Sequence, residues 1–315
     1  MIDRFGRNIN YLRLSVTDLC NLRCIYCMPE EGVVKRSHYD ILTVEEIGEI
    51  VDSAASLGIT KIRLTGGEPL VRRGILDIVR KVAGTPGIEE VCLTTNGVLL
   101  PQMADELKSA GVDRVNISMD SLDPETYQRI TRIGTLEAAL YGVRAALEAG
   151  LTPIKINAVL MGGVNTDDIR PLIELTKQGD ISVRFIEVMP VGECAEWSKE
   201  RFVNNDMVLD MDPALEFIGT NGVSRLYRHR DGIGSVGLIS PISAHFCPGC
   251  NKIRVTSDGK LKPCLHSSEE IPIKGLRGAA LTEAIRNGIL GKPLKHNLGA
   301  GNVSESLRNM NAIGG

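Results

Sequence analysis

The chain has 315 residues, of which 43% are hydrophobic and 24% charged, a composition typical of a globular protein with one large domain or two modest ones. Its 36 Lys and Arg residues nearly balance 39 Asp and Glu residues, and the net charge of −3 gives no general attraction to nucleic acid or anionic membranes. No apolar run approaches about 18 residues and the N-terminus lacks the apolar segment of a signal peptide, so we expect a cytoplasmic protein.

Six short β-rich runs alternate with helix-like segments over the first 190 residues. In chain order they are YLRLSV from Tyr11, KIRLTGG from Lys61, EVCLTTNG from Glu90, RVNISMD from Arg114, PIKINAVL from Pro153 and SVRFIEVM from Ser182. Helix signals lie between them, such as a capping box from Thr43 to Glu46 that opens a helix ending near Gly58, and a helix from about Leu136 to Gly150. The repetition predicts a parallel sheet, either an incomplete (β/α)6 barrel or an open doubly wound sheet.

Several of these strands alternate polar and apolar residues, although strands buried on both faces are usually continuously apolar. With a period of two, the polar residues of a strand share one face. They are Lys61, Arg63 and Thr65 in the second strand, Asn116, Ser118 and Asp120 in the fourth, and Lys155 and Asn157 in the fifth. The alternation predicts a polar cavity near the C-terminal ends of the strands. For any single strand, an exposed sheet edge is the alternative.

The β–α repetition stops near Pro190. We therefore expect a partial barrel over residues 1–190 and a second region over residues 191–315. This second region is predicted to cover the mouth of the barrel and to contain a β-hairpin between Arg225 and Ile239.

Six of the eight cysteines fall into two triplets, which indicates metal or redox chemistry in a chain whose thiols stay reduced. Cys20, Cys24 and Cys27 form C-x3-C-x2-C after the first strand. Three thiolates can bind three irons of a [4Fe–4S] cluster and leave the fourth iron open to a small chelating ligand. Zinc is the alternative, although structural zinc takes four ligands and this loop offers no obvious fourth.

Cys247, Cys250 and Cys264 form the second triplet, C-x2-C-x13-C. On spacing alone, a zinc site completed by His245 or His266 is as good an interpretation as a second iron–sulfur cluster. Cys92, inside an apolar run, is interpreted as a small packed hydrophobic residue.

The first triplet, with Tyr26 before its last cysteine, and the TGGEP sequence from Thr65 to Pro69 resemble the radical S-adenosylmethionine (SAM) superfamily. Within it, the chain closely resembles the GTP 3′,8-cyclases that begin molybdenum cofactor biosynthesis. The similarity extends from RLSVTDLCNLRCIYCMP through NISMDSLD and FIEVMPVG to the terminal Gly314-Gly315, and includes both cysteine spacings. It implies an incomplete (β/α)6 TIM-like barrel of the radical SAM type with a C-terminal cover that carries a second Fe–S cluster.

The resemblance also implies roles for individual residues. Cys20, Cys24 and Cys27 would bind the [4Fe–4S] cluster that cleaves SAM, and Cys247, Cys250 and Cys264 would bind a second [4Fe–4S] cluster whose open iron meets guanine. SAM would contact Tyr26, Gly67, Ser118 and Met189. GTP would contact Arg13, Lys61, Arg63, Thr94, Lys155, Arg184, Lys252, Ile253 and Arg254. Arg13, Gly314 and Gly315 would join the first triplet in catalysis, because the family's tail reaches toward the active site.

The implied reaction begins when a 5′-deoxyadenosyl radical removes hydrogen from C3′ of GTP. The C3′ radical then adds to C8 of guanine, and reduction gives (8S)-3′,8-cyclo-7,8-dihydroguanosine 5′-triphosphate. The implied partners are a reducing electron donor and a downstream cyclic pyranopterin monophosphate synthase, with no nucleic acid and no membrane. The enzyme itself would be a monomer or homodimer.

Two features depart from this pattern. Lys252 stands where the family usually has Arg, which keeps the charge but loses bidentate geometry. Arg184 and Met189 have opposite strand parity, so both can face the cavity only if the strand ends or bulges between them. Two alternative functions stay open at this point: a radical SAM peptide-modifying enzyme with an auxiliary cluster, and a non-catalytic Fe–S or zinc redox sensor.

Overall fold

The computed structural model describes residues 1–298 and 303–314. Its first half contains six parallel strands that pair in chain order. They are β1 (Tyr11–Ser15), β2 (Lys61–Thr65), β3 (Glu90–Thr95), β4 (Arg114–Ser118), β5 (Ile154–Leu160) and β6 (Ile181–Glu187). A doubly wound sheet reverses its strand order at a switch point, whereas a barrel keeps it sequential. The fold is therefore the incomplete barrel, and all six predicted strands are confirmed.

Six helices connect these strands: α1 (Val44–Ser56), α2 (Ile75–Ala83), α3 (Leu100–Ala110), α4 (Pro124–Thr131), α5 (Leu136–Glu148) and α6 (Ile169–Glu174). The predicted capping box is confirmed, because the Glu46 amide donates to Thr43 Oγ1 at 3.1 Å and the Thr43 amide donates to Glu46 Oε2 at 2.9 Å. The apolar face of the sheet packs with these helices in one hydrophobic core that includes Leu12, Ile62 and Leu93.

The second region extends the same sheet at both edges. Its elements are α7 (Met207–Met211), β7 (Leu215–Asn221), β8 (Ser224–His229), β9 (Ser235–Ile239), β10 (Lys252–Val255), β11 (Lys260–Lys262), β12 (Ile271–Pro272), α8 (Gly278–Leu290) and α9 (Met310–Ile313). β9 pairs in parallel with β6, and β10 pairs in parallel with β1. The β8–β9 pair is the predicted hairpin, which is confirmed.

The proposed boundary near residue 190 stays a prediction, and strands from either side of it share the one sheet. Among the helices in the described part of the chain, none has the length and apolar character needed to span a membrane.

Candidate active site

The sheet register aligns the polar strand residues on one continuous inner face. Arg13 lies opposite Arg63 of β2 and Arg254 of β10. On the other side of the barrel, Asn157 lies opposite Ser118 and Arg184. The alternation seen in the sequence is therefore a real shared face. Its members also include residues that sequence analysis missed, among them Tyr11, Glu90, Cys92 and Arg114.

Burial and mutual repulsion lower the pKa of several inner-face cations. Burial, followed by the charges of nearby arginines, lowers the pKa of Lys155 to about 7, and burial together with Arg254 lowers that of Arg13 to about 9. The pKa of Arg184 falls to about 10 and that of Lys252 to about 8, again mainly through burial. Such a cluster is costly without a counter-charge, so it favours binding of a multiply charged anion.

Glu90 lies among these cations. It accepts hydrogen bonds from Lys61 and Arg114, and the Cys92 thiol donates to its Oε1 at 3.2 Å. Although burial alone raises the pKa of Glu90, these hydrogen bonds and the charge of Arg114 lower it to about 2. Cys92 is buried as predicted, but on the polar face, so apolar packing alone does not describe it.

The first cysteine triplet lies in the loop after β1. Burial raises the pKa of the Cys20 thiol to about 11. Burial, Asp120 and the other two thiols raise the pKa of Cys24 well above its usual value, and burial also raises that of Cys27. Buried thiols with raised pKa values stay protonated until a positive charge compensates the thiolates. Iron supplies that charge when it binds and displaces the protons. These residues therefore fit the cluster implied by the sequence.

Gly66 and Gly67 follow β2 in the chain and pack against the cysteine loop that follows β1. A Cβ atom at Gly66 would lie 2.4 Å from the Thr17 carbonyl oxygen, and one at Gly67 would lie 2.3 Å from that of Leu19. The Gly67 amide donates to Thr17 O at 2.8 Å. The two glycines thus permit tight packing against the loop, and the contact of Gly67 with SAM stays a prediction.

Glu68 is a supporting residue that sequence analysis did not assign. Its buried carboxylate accepts hydrogen bonds from the Thr95 hydroxyl at 2.8 Å and the Asn96 amide at 2.7 Å. The Asn96 side chain donates in turn to Asn21 Oδ1 at 2.7 Å and to Cys20 Sγ at 3.9 Å. Glu68 therefore anchors the residues that contact the cysteine loop.

Unpartnered polar atoms lie on the inner face of β4, β5 and β6. Asn116 Oδ1, Asn157 Oδ1 and Arg184 Nε are buried and make no hydrogen bond within the described residues. Nearby, the Tyr26 hydroxyl donates to Asp120 Oδ2 at 2.8 Å. Buried polar atoms left without partners are rare in native proteins, so these fit bound polar ligands such as SAM and GTP.

Two expectations about β6 and β10 are resolved. β6 ends at Glu187, so Met189 lies beyond the strand and the parity conflict with Arg184 disappears. The Ile253 side chain is buried on the apolar face, where it pairs with Leu12 in the hydrophobic core. A nucleotide contact at this position would have to involve the main chain of Ile253.

The second cysteine triplet surrounds the start of β10. Cys250 precedes this strand, Cys247 lies in a 3-10 turn (Cys247–Gly249), and Cys264 follows β11. Although burial alone raises the pKa of Cys250, the charges of Lys292 and Lys252 and their hydrogen bonds lower it overall. Burial, with the charges of Cys264 and Cys250, raises the pKa of Cys247, so thiolate is favoured at Cys250 in particular, and the three thiols fit a cluster.

The parallel pairing of β1 and β10 separates the two triplets. The first triplet follows the C-terminal end of β1, whereas Cys250 lies just before the N-terminal end of β10. Strands of this length span about 15 Å, and Arg13 and Arg254 lie along them between the triplets.

The histidines considered as zinc ligands contact other groups. His266 Nδ1 lies 3.2 Å from Ser304 Oγ, and His245 Nδ1 lies 3.3 Å from His296 Nε2. Over residues 1–298 and 303–314, no three or more His, Cys, Asp or Glu side chains are arranged to hold a metal ion. A cubane cluster binds each thiolate to a different iron and spaces its ligands more widely than a single ion does.

The C-terminal segment reaches the inner face. The Gly314 carbonyl oxygen accepts hydrogen bonds from Arg254 at 2.6 Å and Arg13 at 3.3 Å. Asn311 Nδ2 donates to the carbonyl of Asp18 in the first cysteine loop at 3.0 Å. Gly315 lies outside the described residues.

Known proteins match the chain over its full length. A family profile described as "Radical SAM superfamily" matches residues 14–176, and one described as "Molybdenum Cofactor Synthesis C" matches residues 181–298. The GTP 3′,8-cyclase of Alkaliphilus oremlandii is 49% identical over 320 residues, and that of Alkaliphilus metalliredigens is 50% identical over 322 residues, each covering 100% of both chains.

Solved structures share the fold at low identity. Streptococcus suis SuiB bound to S-adenosylmethionine has a TM-score of 0.62 at 14% identity, covering 97% of this chain and 75% of that one. Native anSMEcpe with bound AdoMet has a TM-score of 0.59 at 17% identity, covering 89% and 83%.

Proposed function

The chain belongs to the GTP 3′,8-cyclase family of the radical SAM superfamily, and on this basis we propose that it converts GTP to (8S)-3′,8-cyclo-7,8-dihydroguanosine 5′-triphosphate. This is the first step of molybdenum cofactor biosynthesis. The observation that most supports the proposal is the row of cations on the inner face between two cysteine triplets. A triphosphate supplies the negative charge that this row lacks.

Two [4Fe–4S] clusters and SAM are the cofactors. Cys20, Cys24 and Cys27 hold the first cluster, and Cys247, Cys250 and Cys264 hold the second. SAM and the first cluster, when bound, supply the 5′-deoxyadenosyl radical that removes hydrogen from C3′ of GTP. SAM lies against Tyr26, Gly67, Ser118 and Met189.

The remaining site residues position GTP. Arginine binds phosphate oxygens in pairs through its planar guanidinium, whereas lysine acts as a point charge. The triphosphate binds the cations and Thr94, whose Oγ1 already accepts from Arg63 at 3.3 Å. The GTP-binding residues are Arg13, Lys61, Arg63, Thr94, Lys155, Arg184, Lys252, Arg254 and the main chain of Ile253. Gly314, whose carbonyl oxygen accepts from Arg13 and Arg254, limits access of water to the radical, and Gly315 is assigned to catalysis with it.

The proposal also covers the division of the chain into two regions, its location and its partners. The chain divides into a partial barrel over residues 1–190 and a cluster-bearing cover over residues 191–315. It acts in the cytoplasm as a monomer or homodimer, receives electrons from a reducing donor, and passes its product to cyclic pyranopterin monophosphate synthase.

Product analysis tests the proposal. Reconstituted protein is incubated anaerobically with GTP, SAM and dithionite, and we expect methionine, 5′-deoxyadenosine and the cyclised nucleotide. With GTP deuterated at C3′, the label should move to 5′-deoxyadenosine. Absence of cyclised nucleotide contradicts the function, and unlabelled 5′-deoxyadenosine contradicts the C3′ step.

A further inference from the structure

Tyr11 contacts three of the cations assigned to GTP. It is the first residue of β1, is only 8% exposed, and lies between Lys61 of β2 and Lys252 of β10 in the sheet register. The ammonium of Lys61 lies 5.1 Å from the centroid of the Tyr11 ring, and that of Lys252 lies 5.4 Å from it. The Tyr11 hydroxyl accepts a hydrogen bond from Arg63 Nε.

This arrangement opposes the repulsion among the three cations. An aromatic face attracts ammonium groups within about 6 Å without carrying a formal charge. A carboxylate at this position would also attract the cations, but it would repel an incoming phosphate. A phenol therefore orders cations and leaves their charge available to an anion.

Lys252 shows why such support matters. It lies on the same face of β10 as Arg254, whose partner on β1 is Arg13, so its ammonium has like charges for neighbours, and the Tyr11 ring centroid is 5.4 Å from that ammonium. The Lys252 ammonium also donates to Asn251 Oδ1 at 3.1 Å, so its position is fixed from two sides. Tyr11 thus supports the lysine that begins β10.

We propose that Tyr11 is a positioning residue of the triphosphate site. It holds Lys61, Lys252 and Arg63 in place before the nucleotide binds, and thereby sets the preference for a nucleoside triphosphate over a diphosphate. The inference rests on the proposed function, because it assigns these cations to GTP.

The test compares Tyr11→Leu with Tyr11→Phe in the reconstituted holoenzyme. Equilibrium binding gives the Kd for GTP and for GDP, and steady-state turnover gives kcat and KM. For Tyr11→Leu we expect Kd and KM for GTP to rise about tenfold, as the loss of two partly buried cation–π contacts predicts, with kcat within about threefold. The ratio of the Kd for GDP to that for GTP should fall.

Tyr11→Phe keeps the ring and loses only the hydroxyl, so GTP affinity should fall by about threefold, the loss expected for one hydrogen bond. Tyr39→Leu is the matched control, because the Tyr39 side chain is 91% exposed and should leave all these values unchanged. Folding is checked by melting temperature and iron content.

The inference is overturned if folded Tyr11→Leu binds GTP with the same Kd as the wild-type protein. It is also overturned if Tyr11→Leu loses kcat while its Kd for GTP is unchanged. If Tyr11→Leu does not fold, Tyr11→Phe decides: weaker GTP binding supports the inference and unchanged binding overturns it. If wild-type protein binds GTP but does not cyclise it, the proposed function fails, whereas the Tyr11 comparison still reports on triphosphate binding.

Discussion

The two cysteine triplets differ in the charged groups around them. Acidic groups, Asp120 near Cys24 and Glu68 near Cys20, add to burial in raising the thiol pKa values of the first triplet. At the second triplet, the charges of Lys292 and Lys252 lower the pKa of Cys250, and Lys292 opposes the rise that burial and the other two thiols cause at Cys247. Nearby charge is one determinant of the reduction potential of an iron–sulfur cluster. We therefore expect a lower reduction potential for the cluster of the first triplet than for that of the second. This difference agrees with the proposed division of roles, in which the first triplet holds the reducing cluster and the second holds the cluster that binds substrate.

Cys24→Ala should produce the largest effect, because it removes a ligand from the cluster that cleaves SAM. We expect both 5′-deoxyadenosine and cyclised nucleotide to fall to background. Quantifying both products after anaerobic incubation checks this. Cleavage of SAM by the variant would contradict the role of the first triplet.

Cys264→Ala should separate the two activities. The first triplet is intact, so some uncoupled SAM cleavage should remain while the cyclised nucleotide is lost. The same assay measures both products. Equal loss of both would argue that the second triplet is mainly structural and that the contrast between the sites is not functional.

Arg308→Ala should weaken the C-terminal contact with the inner face. Arg308 forms ion pairs with Asp258 at 3.0 Å and with Glu270 at 2.6 Å. When Arg308 is removed, Asp258 is still paired with Arg36, and Glu270 with Lys262. We therefore expect cyclisation to fall about tenfold, with destabilisation of only about 1–2 kcal/mol.

The control for this variant is Arg286→Ala, which removes an exposed pair with Glu283. Limited proteolysis should release the C-terminal segment faster in Arg308→Ala than in the control. Equal proteolysis and equal activity in the two variants would show that Arg308 does not anchor the tail.

Lys292→Met should have the smallest effect and tests the electrostatic comparison itself. Its ammonium is buried, donates to Pro263 O at 2.8 Å and stabilises negative charge at Cys250. The potential of the second cluster should fall by on the order of tens of millivolts, with that of the first unchanged. A redox titration followed by electron paramagnetic resonance measures both, and an unshifted second cluster would contradict the comparison.

Local periodicity was enough to predict six parallel strands and much of their polar face, whereas the choice of a barrel over a doubly wound sheet came from the family resemblance. Strand parity depends only on neighbouring residues, so the orientation of Lys61, Arg63 and Lys155 follows from the sequence. The same rule, applied to Tyr11 and Glu90, would have identified both as members of the polar face. It also places Ile253 on the face opposite Lys252 and Arg254.

Long-range pairing could not be predicted in this way. β10 pairs with β1 across about 240 residues of chain, and nothing local in KIRV specifies that partner. The contacts of Arg308 and Gly314 also depend on how distant segments pack. Hydrogen bonding of the Gly67 amide to Thr17 likewise depends on tertiary structure.

The most direct test of the account is electron–nuclear double resonance on the reduced, reconstituted enzyme with isotopically labelled ligands. Nuclei of labelled SAM should couple to the cluster at Cys20, Cys24 and Cys27, and labelled guanine nitrogen should couple to the cluster at Cys247, Cys250 and Cys264. Labelled GTP that couples to neither cluster, or a fourth protein ligand on either cluster, would contradict the claim that the two triplets hold the two substrates at opposite ends of one cavity.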